Sequence, residues 1–252
     1  MKILLCNDDG IHSKGIQALK SQLENIAEVT VIAPDRERST ISHAMTLYKP
    51  LHIKEFHVNG KRFGYSVNGT PADCVIIGLL EIMKEKKPDI IVSGINRGAN
   101  LGNDIVYSGT VAAAREGAMR NVPSFAISID GNENFQFNDA ARFSKEVIVK
   151  IMKHDIPKNL LLNINFPNIE YEHINGIEIT RQGKRKYRDE MQKINKPGEL
   201  VHYQIGGEIE KKSIEPMTDS GVVNDLKVAI TPILLDITDY SMMEKMSKWV
   251  IN

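Results

Sequence analysis

The stretch KILLCNDDG, residues 2–10, joins a short apolar run to a polar turn that holds two adjacent carboxylates. The apolar run, residues 2–6, is short enough to predict a buried strand rather than a core helix. Gly10 adopts backbone angles that other residues disfavour, so the chain can turn directly after Asp8 and Asp9. We therefore expect a first strand that ends in an acidic turn.

Short apolar runs and helical patterns alternate along the first two thirds of the chain. The runs predict strands over 29–33, 90–92 and 123–129, and the helical spacing predicts helices over 16–26, 70–83 and 111–119. Thr70 can cap the second of these helices, and Pro71 suits its first turn. The alternation predicts an α/β fold with a doubly wound, mostly parallel sheet flanked by helices.

The pattern changes at two places, and these changes predict the domain organisation. Residues 50–68 are expected to form a β-hairpin insertion that turns at Asn59-Gly60, a dipeptide that readily supplies positive φ angles. Residues 1–167 form the predicted core. Beyond Pro167, separate β-like segments and a helix from about Tyr240 predict an appended β-rich arm over 168–252; the β-like segments are 176–180, 200–205 and 228–233.

The polar stretch 181–199 has two interpretations. A solvated surface loop is the favoured one, and a basic segment that closes over a substrate is the other.

Composition excludes several classes of protein. The chain has 252 residues, 42% hydrophobic and 25% charged, as in an ordinary globular protein, and has no apolar run long enough to span a bilayer. Lys plus Arg and Asp plus Glu are equal at 32 each, so we expect neither a nucleic-acid nor a membrane partner. Cys6 and Cys74 lie in apolar runs and are expected to be buried core residues. A cytoplasmic protein is expected.

Polar residues follow each predicted strand, where open parallel sheets bind their ligands. Asp8 and Asp9 repel one another unless a cation neutralises them, and a hard divalent ion is the simplest partner. A plain turn with Asp8 as a cap is an equal alternative at this point. Ser39 could complete a metal shell, although alone it is better explained as a cap or turn residue. Asn96 follows the strand over 90–92 and offers an amide oxygen.

Residues 108–110, Ser-Gly-Thr, open a predicted helix. Helix N-termini bind phosphate through free backbone N–H groups and the positive end of the helix dipole. Ser108 and Thr110 add hydroxyls, and Gly109 allows close approach of an oxygen. An ordinary Ser/Thr cap is the competing interpretation, and it does not exclude an anion site.

Three familiar nucleotide and phosphate sites lack their sequence pieces. No G-x-x-x-x-G-K-[ST] sequence is present, which disfavours a Walker nucleoside triphosphatase. Gly10 lacks the G-x-G-x-x-G context of dinucleotide-binding proteins. Phosphatases with an aspartyl nucleophile commonly separate two aspartates by one residue, whereas Asp8 and Asp9 are adjacent.

Together these loops resemble one family, the SurE survival proteins, which are metal-dependent 5′-nucleotidases. The resemblance is carried by ILLCNDDG (3–10), APDRERS (33–39), NGTPADC (68–74) and residues 93–116. Weaker likeness continues through 162–167, 180–183 and 218–232. Thr40 and Leu226 stand where many members carry glycine, and Arg115 where a smaller or uncharged residue is frequent.

The resemblance implies roles for particular residues. It makes Asp8, Asp9, Ser39 and Asn96 the ligands of one divalent metal ion per subunit, magnesium or manganese. Asp8 and Asp9 are also the implied catalytic residues. The implied contacts of the substrate phosphate are Asn96, Ser108, Gly109 and Thr110.

The resemblance also implies the wider architecture and activity. The expected fold is a Rossmann-like sheet with an extended C-terminal arm exchanged between subunits, giving a homodimer or a pair of dimers. The expected substrates are nucleoside 5′- and 3′-monophosphates, with short polyphosphate in some members. Two other functions stay open: a protein that senses a nucleotide in the same crevice without hydrolysing it, and a structural dimer in which Asp8 and Asp9 only close a turn.

Overall fold

The computed structural model describes residues 1–194, 201–210 and 215–249. These residues form a nine-stranded sheet, a separate two-stranded hairpin and six α-helices. The strands are β1 Lys2–Cys6, β2 Glu28–Pro34, β3 Ile53–Val58, β4 Lys61–Val67, β5 Ile90–Arg97, β6 Ser124–Asp130, β7 Leu161–Pro167, β8 Ile177–Ile179, β9 Tyr187–Ile194, β10 His202–Ile209 and β11 Val228–Pro232. The α-helices are α1 Lys14–Leu23, α2 Pro71–Ile77, α3 Gly109–Met119, α4 Phe137–Ile151, α5 Asp219–Asn224 and α6 Tyr240–Met246.

The large sheet has the strand order β3-β4-β2-β1-β5-β6-β7-β11-β8. The six strands from β4 to β7 in that order are parallel, whereas β3 and β11 run antiparallel to their inner neighbours. The chain leaves β1 towards β2 on one side and later places β5 on the other. Such a reversal opens a crevice at the carboxyl ends of the strands, here between β1 and β5. The predicted α/β class with a mostly parallel sheet is confirmed.

Helices cover both faces of the sheet. On one face α1 packs against α4, and on the other α2 packs against α3. Alternate residues of β1 serve the two layers, since Ile3 and Leu5 belong to the α1 side of the core and Leu4 and Cys6 to the α2 side. This two-sided burial explains why the strands are almost continuously apolar.

The helix predicted from Thr70 begins there, but it does not continue regularly to Met83. The Thr70 hydroxyl accepts from the Asp73 amide at 3.1 Å, and the Asp73 carboxylate accepts from the Thr70 amide at 2.9 Å, forming a capping box. After Ile77 the helix passes into a π-helical turn over Gly78–Ile82. A side chain at Gly78 would collide with Leu4, so glycine there lets the helix lie close on β1.

The predicted hairpin turns at Asn59 and Gly60, where φ is 50° and 75°. Its second strand, β4, pairs in parallel with β2, so the insertion widens the large sheet at one edge.

The second half of the chain contributes to two sheets. β11 pairs with β7 and β8 pairs with β11, so part of residues 168–252 extends the large sheet. β9 and β10 form the separate hairpin. The predicted loop over 181–199 was wrong for Tyr187–Ile194, because these residues pair with β10, but they are exposed to solvent as predicted. Residues 195–199 of that stretch lie outside the described residues. The boundary at residue 167 and the role of 168–252 in oligomerisation stay predictions.

Two smaller expectations concern cysteine and the membrane. Cys6 and Cys74 are buried free thiols, as predicted. None of the helices in the described part of the chain has the length and apolar content needed to cross a bilayer.

Candidate functional site

Three of the four predicted metal ligands line one cavity. Asp8, Ser39 and Asn96 border a space of about 370 Å³ beyond the carboxyl ends of the strands, together with Ser108. Asp9 borders a neighbouring cavity of about 560 Å³. Arg97 lines both cavities, so the Asp8–Asp9 pair lies where the two meet.

Asp8 is a buried carboxyl held by two segments. Its Oδ1 accepts a hydrogen bond from the Thr110 hydroxyl, and its backbone oxygen accepts from the Arg38 amide at 2.7 Å. Burial raises the pKa of Asp8 to about 7; the Thr110 hydrogen bond opposes this rise and the charge of Asp9 adds to it. A carboxylate so disfavoured at neutral pH is stabilised by a nearby cation.

Asp9 is linked to Arg97. Its Oδ2 accepts from the Arg97 amide at 3.0 Å, and the Arg97 Nε lies 4.0 Å from its Oδ1. Burial raises the pKa of Asp9, while the amide and the charge of Arg97 lower it. Arg97 also pairs with Glu37 at 3.0 Å. Arg97 has no role predicted from the sequence, because its position in the Asn- and Gly-rich stretch does not reveal which carboxylate it contacts.

The Ser39 and Asn96 side chains each donate one hydrogen bond to the protein. The Ser39 hydroxyl donates to Glu37 Oε1 at 2.7 Å, and the Asn96 amide nitrogen donates to the Gly98 carbonyl at 2.7 Å. Each side chain therefore has lone pairs to offer on its oxygen. Asn96 lies within β5 rather than in a loop after residue 92, because the strand continues past a register irregularity between Ser93 and Asn96.

The first turn of α3 packs directly on Asp8. The Ser108 hydroxyl caps the helix by accepting from the Val111 amide at 3.1 Å. A side chain on Gly109 would bring its Cβ within 2.8 Å of the Asp8 Cβ and 2.9 Å of Asp8 Oδ2. Glycine at this position is what allows the helix to approach the carboxylate so closely.

The cavity floor is built on buried asparagines. The Asn100 amide donates to the Asn165 side chain at 2.8 Å, and the Asn100 carbonyl accepts from the side chain of Asn163 at 2.7 Å. The Asn100 side chain donates to the Ser128 hydroxyl at 2.7 Å. These bonds tie the loop after β5 to β6 and β7.

Another wall comes from residues far apart in sequence. Tyr107, Asp104 and Tyr187 line the same cavity as Asp8. Asp104 Oδ2 accepts from the Tyr187 hydroxyl at 2.8 Å and from Arg185 Nη1 at 3.0 Å. Burial and the Asp104 hydrogen bond raise the pKa of Tyr187 to about 12, so this hydroxyl stays protonated. Sequence reasoning missed this wall, because no local pattern connects Tyr187 with the loop that carries Asp104.

A buried carboxylate joins the segments that build this wall. Asp219 accepts from the Gly102 amide at 2.8 Å and from the Gly183 amide at 2.9 Å. Gln182 adds a hydrogen bond to the Gly102 carbonyl at 3.0 Å. The segment that leads to Tyr187 is therefore anchored beside the loop that leads to Tyr107.

The candidate metal site is rich in neutral oxygens. Within residues 1–194, 201–210 and 215–249, no three His, Cys, Asp or Glu side chains gather as a metal-binding group. A cation at the Asp8–Asp9 pair would therefore depend on hydroxyl and amide oxygens as well, which suits a hard divalent ion.

Comparison with known proteins gives concordant matches. The family model described as survival protein SurE matches residues 3–189. The protein named 5′-nucleotidase SurE from Caldanaerobacter subterraneus subsp. tengcongensis is 45% identical over 251 residues, covering 99% of this chain and 98% of the relative. The 5′-nucleotidase SurE of Aquifex aeolicus is 42% identical over 241 residues, covering 96% of this chain and 95% of the relative.

A solved structure matches over nearly the whole chain. The crystal structure of the SurE protein from Aquifex aeolicus superposes with a TM-score of 0.88 and 42% sequence identity, covering 98% of each chain.

Proposed function

This chain belongs to the SurE family, and we propose that it is a divalent-metal-dependent phosphatase that hydrolyses nucleoside 5′-monophosphates to nucleoside and phosphate. The single observation that carries the proposal is the buried Asp8 carboxyl, which shares a cavity with Ser39 and Asn96 and touches the first turn of α3. Relatives named 5′-nucleotidase that align over almost the full length support the same activity.

The residues present fit one Mg²⁺ or Mn²⁺ ion. Two adjacent carboxylates, a hydroxyl and an amide oxygen are the oxygen ligands that such ions take. The raised pKa of Asp8 is a second argument, since a cation would relieve the cost of its buried charge. We therefore propose Asp8, Asp9, Ser39 and Asn96 as the ligands.

The first turn of α3 is the proposed phosphate contact. Its backbone N–H groups and dipole favour an anion, and Gly109 leaves room for a phosphate oxygen beside Asp8. Ser108 and Thr110 belong to this turn, and Asn96, which lines the same cavity, is a further proposed substrate contact. The Ser108 hydroxyl caps the helix by accepting from the Val111 amide, which orients the turn and leaves the hydroxyl proton to donate to a phosphate oxygen.

The reaction adds a water oxygen to phosphorus and breaks the bond from phosphorus to the ester oxygen, which leaves with a proton as the nucleoside hydroxyl. A bound divalent ion would offset the charge of the phosphoryl group and lower the pKa of a water molecule. In this proposal Asp8 and Asp9 also hold or pass the proton. Helix α3 orients the phosphate, which matters because phosphoryl transfer depends mainly on positioning and charge stabilisation.

Several finer points belong to the same proposal. The assembly is a homodimer or a pair of dimers that uses residues 168–252, where many apolar side chains are exposed, among them Leu234, Ile237 and Trp249. Nucleoside 3′-monophosphates and short polyphosphate are further candidate substrates, and the cytoplasm is the expected location.

A panel of nucleoside monophosphates tests the activity. We expect phosphate release from 5′-monophosphates that stops with EDTA and returns with added Mg²⁺ or Mn²⁺. A nucleotide-sensing protein would instead bind these compounds and release no phosphate. A structural dimer would show neither release nor a metal-dependent rise in melting temperature. Either result would refute the proposed activity.

The variant Asp9→Asn tests the assigned site. We expect it to fold normally, to lose phosphate release and to lose the stabilisation that Mn²⁺ gives. Asp89→Asn is the matched control, because Asp89 precedes β5 at the amino end of the sheet and binds the Lys2 amide there. Near-normal turnover by Asp9→Asn would count against the site.

A further inference from the structure

The cavity that contains Asp8 combines polar groups with two tyrosine rings. Tyr107 directly precedes the cap of α3, and Tyr187 begins β9 in a distant part of the chain. Both line the cavity, and their relative exposures are 60% and 41%, so neither residue is fully covered by the rest of the protein. We call Tyr107 and Tyr187 the tyrosine wall.

Tyr187 is held in one place before any ligand arrives. Its hydroxyl donates to Asp104, and Arg185, which binds the same Asp104 oxygen, lies with its guanidinium 5.9 Å from the centre of the Tyr187 ring. The Asp219 bonds to Gly102 and Gly183 fix the backbone on both sides of this contact. A fixed ring loses little conformational freedom when a flat ligand stacks on it.

Tyr107 is fixed through its backbone. Its amide donates to the Asp104 carbonyl at 3.0 Å, and its carbonyl accepts from the Ser42 amide at 2.9 Å. Asp104 therefore contacts both members of the tyrosine wall, one through its side chain and one through its main chain.

The neighbouring cavity is a weaker candidate for binding a planar group. Its two phenylalanines, Phe135 and Phe137, already stack on each other with centroids 5.3 Å apart. It contains Asp9 but not Ser108, whereas the cavity with the tyrosine wall contains Asp8 and Ser108 together. A ligand with its phosphate at α3 therefore meets the tyrosine wall within a single cavity of about 370 Å³, which is at the small end for ligand sites.

We infer that the tyrosine wall binds the base of the substrate nucleotide by stacking, and that Asp104 is a positioning residue that holds Tyr187 for this purpose. The inference rests on the proposed function and adds to it a base subsite. Aromatic stacking tolerates every base, since each has a π-face. The subsite should therefore favour nucleotides over baseless phosphate esters while discriminating little among bases.

The test compares two substrates that differ only by the base. Phosphate release from AMP and from ribose 5-phosphate is measured for the wild type, Tyr187→Ala and Tyr187→Phe. We expect the wild type to prefer AMP in kcat/KM and Tyr187→Ala to reduce that preference about 10-fold, a loss typical of one stacked base. Tyr187→Phe keeps the ring but loses the Asp104 bond, so its loss should be smaller. Circular dichroism checks that each variant is folded.

Phe135→Ala is the matched control, because it removes a ring from the neighbouring cavity. We expect it to keep the preference for AMP. The inference is overturned if Phe135→Ala abolishes the preference while Tyr187→Ala keeps it. It is also overturned if Tyr187→Ala lowers kcat/KM equally for AMP and for ribose 5-phosphate, since that result indicates a structural role.

Calorimetry with adenosine separates this inference from the proposed function. We expect the wild type to bind adenosine and Tyr187→Ala to bind it about 10-fold more weakly. If the wild type releases phosphate from neither ester but shows this binding difference, the phosphatase activity fails and the base subsite stands. If both esters are hydrolysed and Tyr187→Ala binds adenosine as tightly as the wild type, the subsite fails and the activity stands.

Discussion

The Thr110 hydroxyl donates a hydrogen bond to Oδ1 of Asp8, so the first turn of α3 and the end of β1 meet at one buried carboxyl. The bond favours the ionised form of Asp8 and fixes the direction of its oxygens. Thr110 thereby links the proposed phosphate contact to the proposed metal ligand.

Thr110→Val should weaken the site without disturbing the fold. The substitution keeps the shape of the side chain and removes the hydroxyl, so Asp8 becomes harder to ionise. We expect metal affinity and kcat/KM to fall about 10- to 100-fold, as for other residues that orient metal ligands. Mn²⁺ titration by calorimetry measures the metal affinity, and phosphate release measures kcat/KM.

Thr110→Ser is the control for that variant, because it retains the hydroxyl. It should stay within a few-fold of the wild type in both measurements. Equal values for Thr110→Val and the wild type would show that the bond is unimportant.

Asp8 should make the metal-free protein less stable as pH rises. Its pKa is 3.8 in the unfolded chain and about 7 in the folded protein. Between these values the unfolded chain has released a proton that the folded protein keeps, so the free energy of unfolding falls from about pH 4 to about pH 7 and then levels off. The full loss from this group is at most about 4 kcal/mol.

Urea denaturation in EDTA across that pH range measures the effect. Asp8→Asn removes the titrating group, so its stability should decline less with pH than that of the wild type. Added Mn²⁺ should restore stability to the wild type mainly at the upper end of the range, since protons compete with the metal below it. If the free energy of unfolding changed with pH in the same way for the wild type and Asp8→Asn, Asp8 could not be the group that titrates.

Gly109→Ala should abolish activity through a steric conflict at the site. The added Cβ would lie 2.8 Å from the Asp8 Cβ, so either the helix or the carboxyl must move. We expect a loss of at least about 100-fold in kcat/KM, comparable with the effect of misplacing a reacting group by about 1 Å. Phosphate release and Mn²⁺ titration both detect it.

Gly117→Ala, in the same helix, should affect stability and leave metal binding intact. Its Cβ would collide with Ile91 and Ser124 in the core, so it should lower the melting temperature while a folded fraction retains Mn²⁺ binding. A Gly109→Ala protein with normal activity would show that α3 has room to shift away from Asp8.

Asp219→Ala should loosen the wall that carries Tyr187. It leaves the buried amides of Gly102 and Gly183 without their acceptor, which costs about 3 kcal/mol in the free energy of unfolding. We also expect a higher KM for AMP, because Asp104 and Tyr187 lose their fixed spacing. Asp225→Ala, at the exposed end of α5, should change neither value. An unchanged KM together with lost stability would limit Asp219 to a structural role.

Local signals in the sequence predicted the framework and the residues at the strand ends. Apolar runs located β1, β2 and β6, Thr70 located the start of α2, and Asn59-Gly60 located the hairpin turn. These features depend on neighbours in the chain. Asp8, Ser39 and Asn96 could be grouped because parallel strands deliver their carboxyl ends to one edge, and the structure brings these three to one cavity.

Features that depend on distant contacts were missed. The extent of β5 past Val92 is set by pairing with β6, and β9 exists because its exposed residues pair with β10. Tertiary hydrogen bonds bring three further residues to the site: Tyr187, Arg185 and Asp219. Such bonds produce no periodic pattern in the sequence.

Thr40 and Leu226 stand where the resemblance leads us to expect glycine, and their backbone angles explain that expectation. Both residues have positive φ, 56° and 58°, a conformation in which glycine is unstrained. The chain thus keeps the backbone that glycine would favour while carrying side chains there. Nothing in the structure explains why the chain carries Arg115 where the resemblance leads us to expect a smaller or uncharged residue.

The asparagine bonds beneath Asn100 make one side of the cavity as rigid as the sheet itself. Asn100 is fixed to β6 and β7 through buried groups, so it cannot shift without breaking hydrogen bonds that water cannot replace. Any adjustment to a ligand must therefore come from the segment around Ser39, which lies closer to solvent. Amide exchange should accordingly be slow at Asn100 and fast around Ser39, so that one side of the cavity stays rigid while another can move.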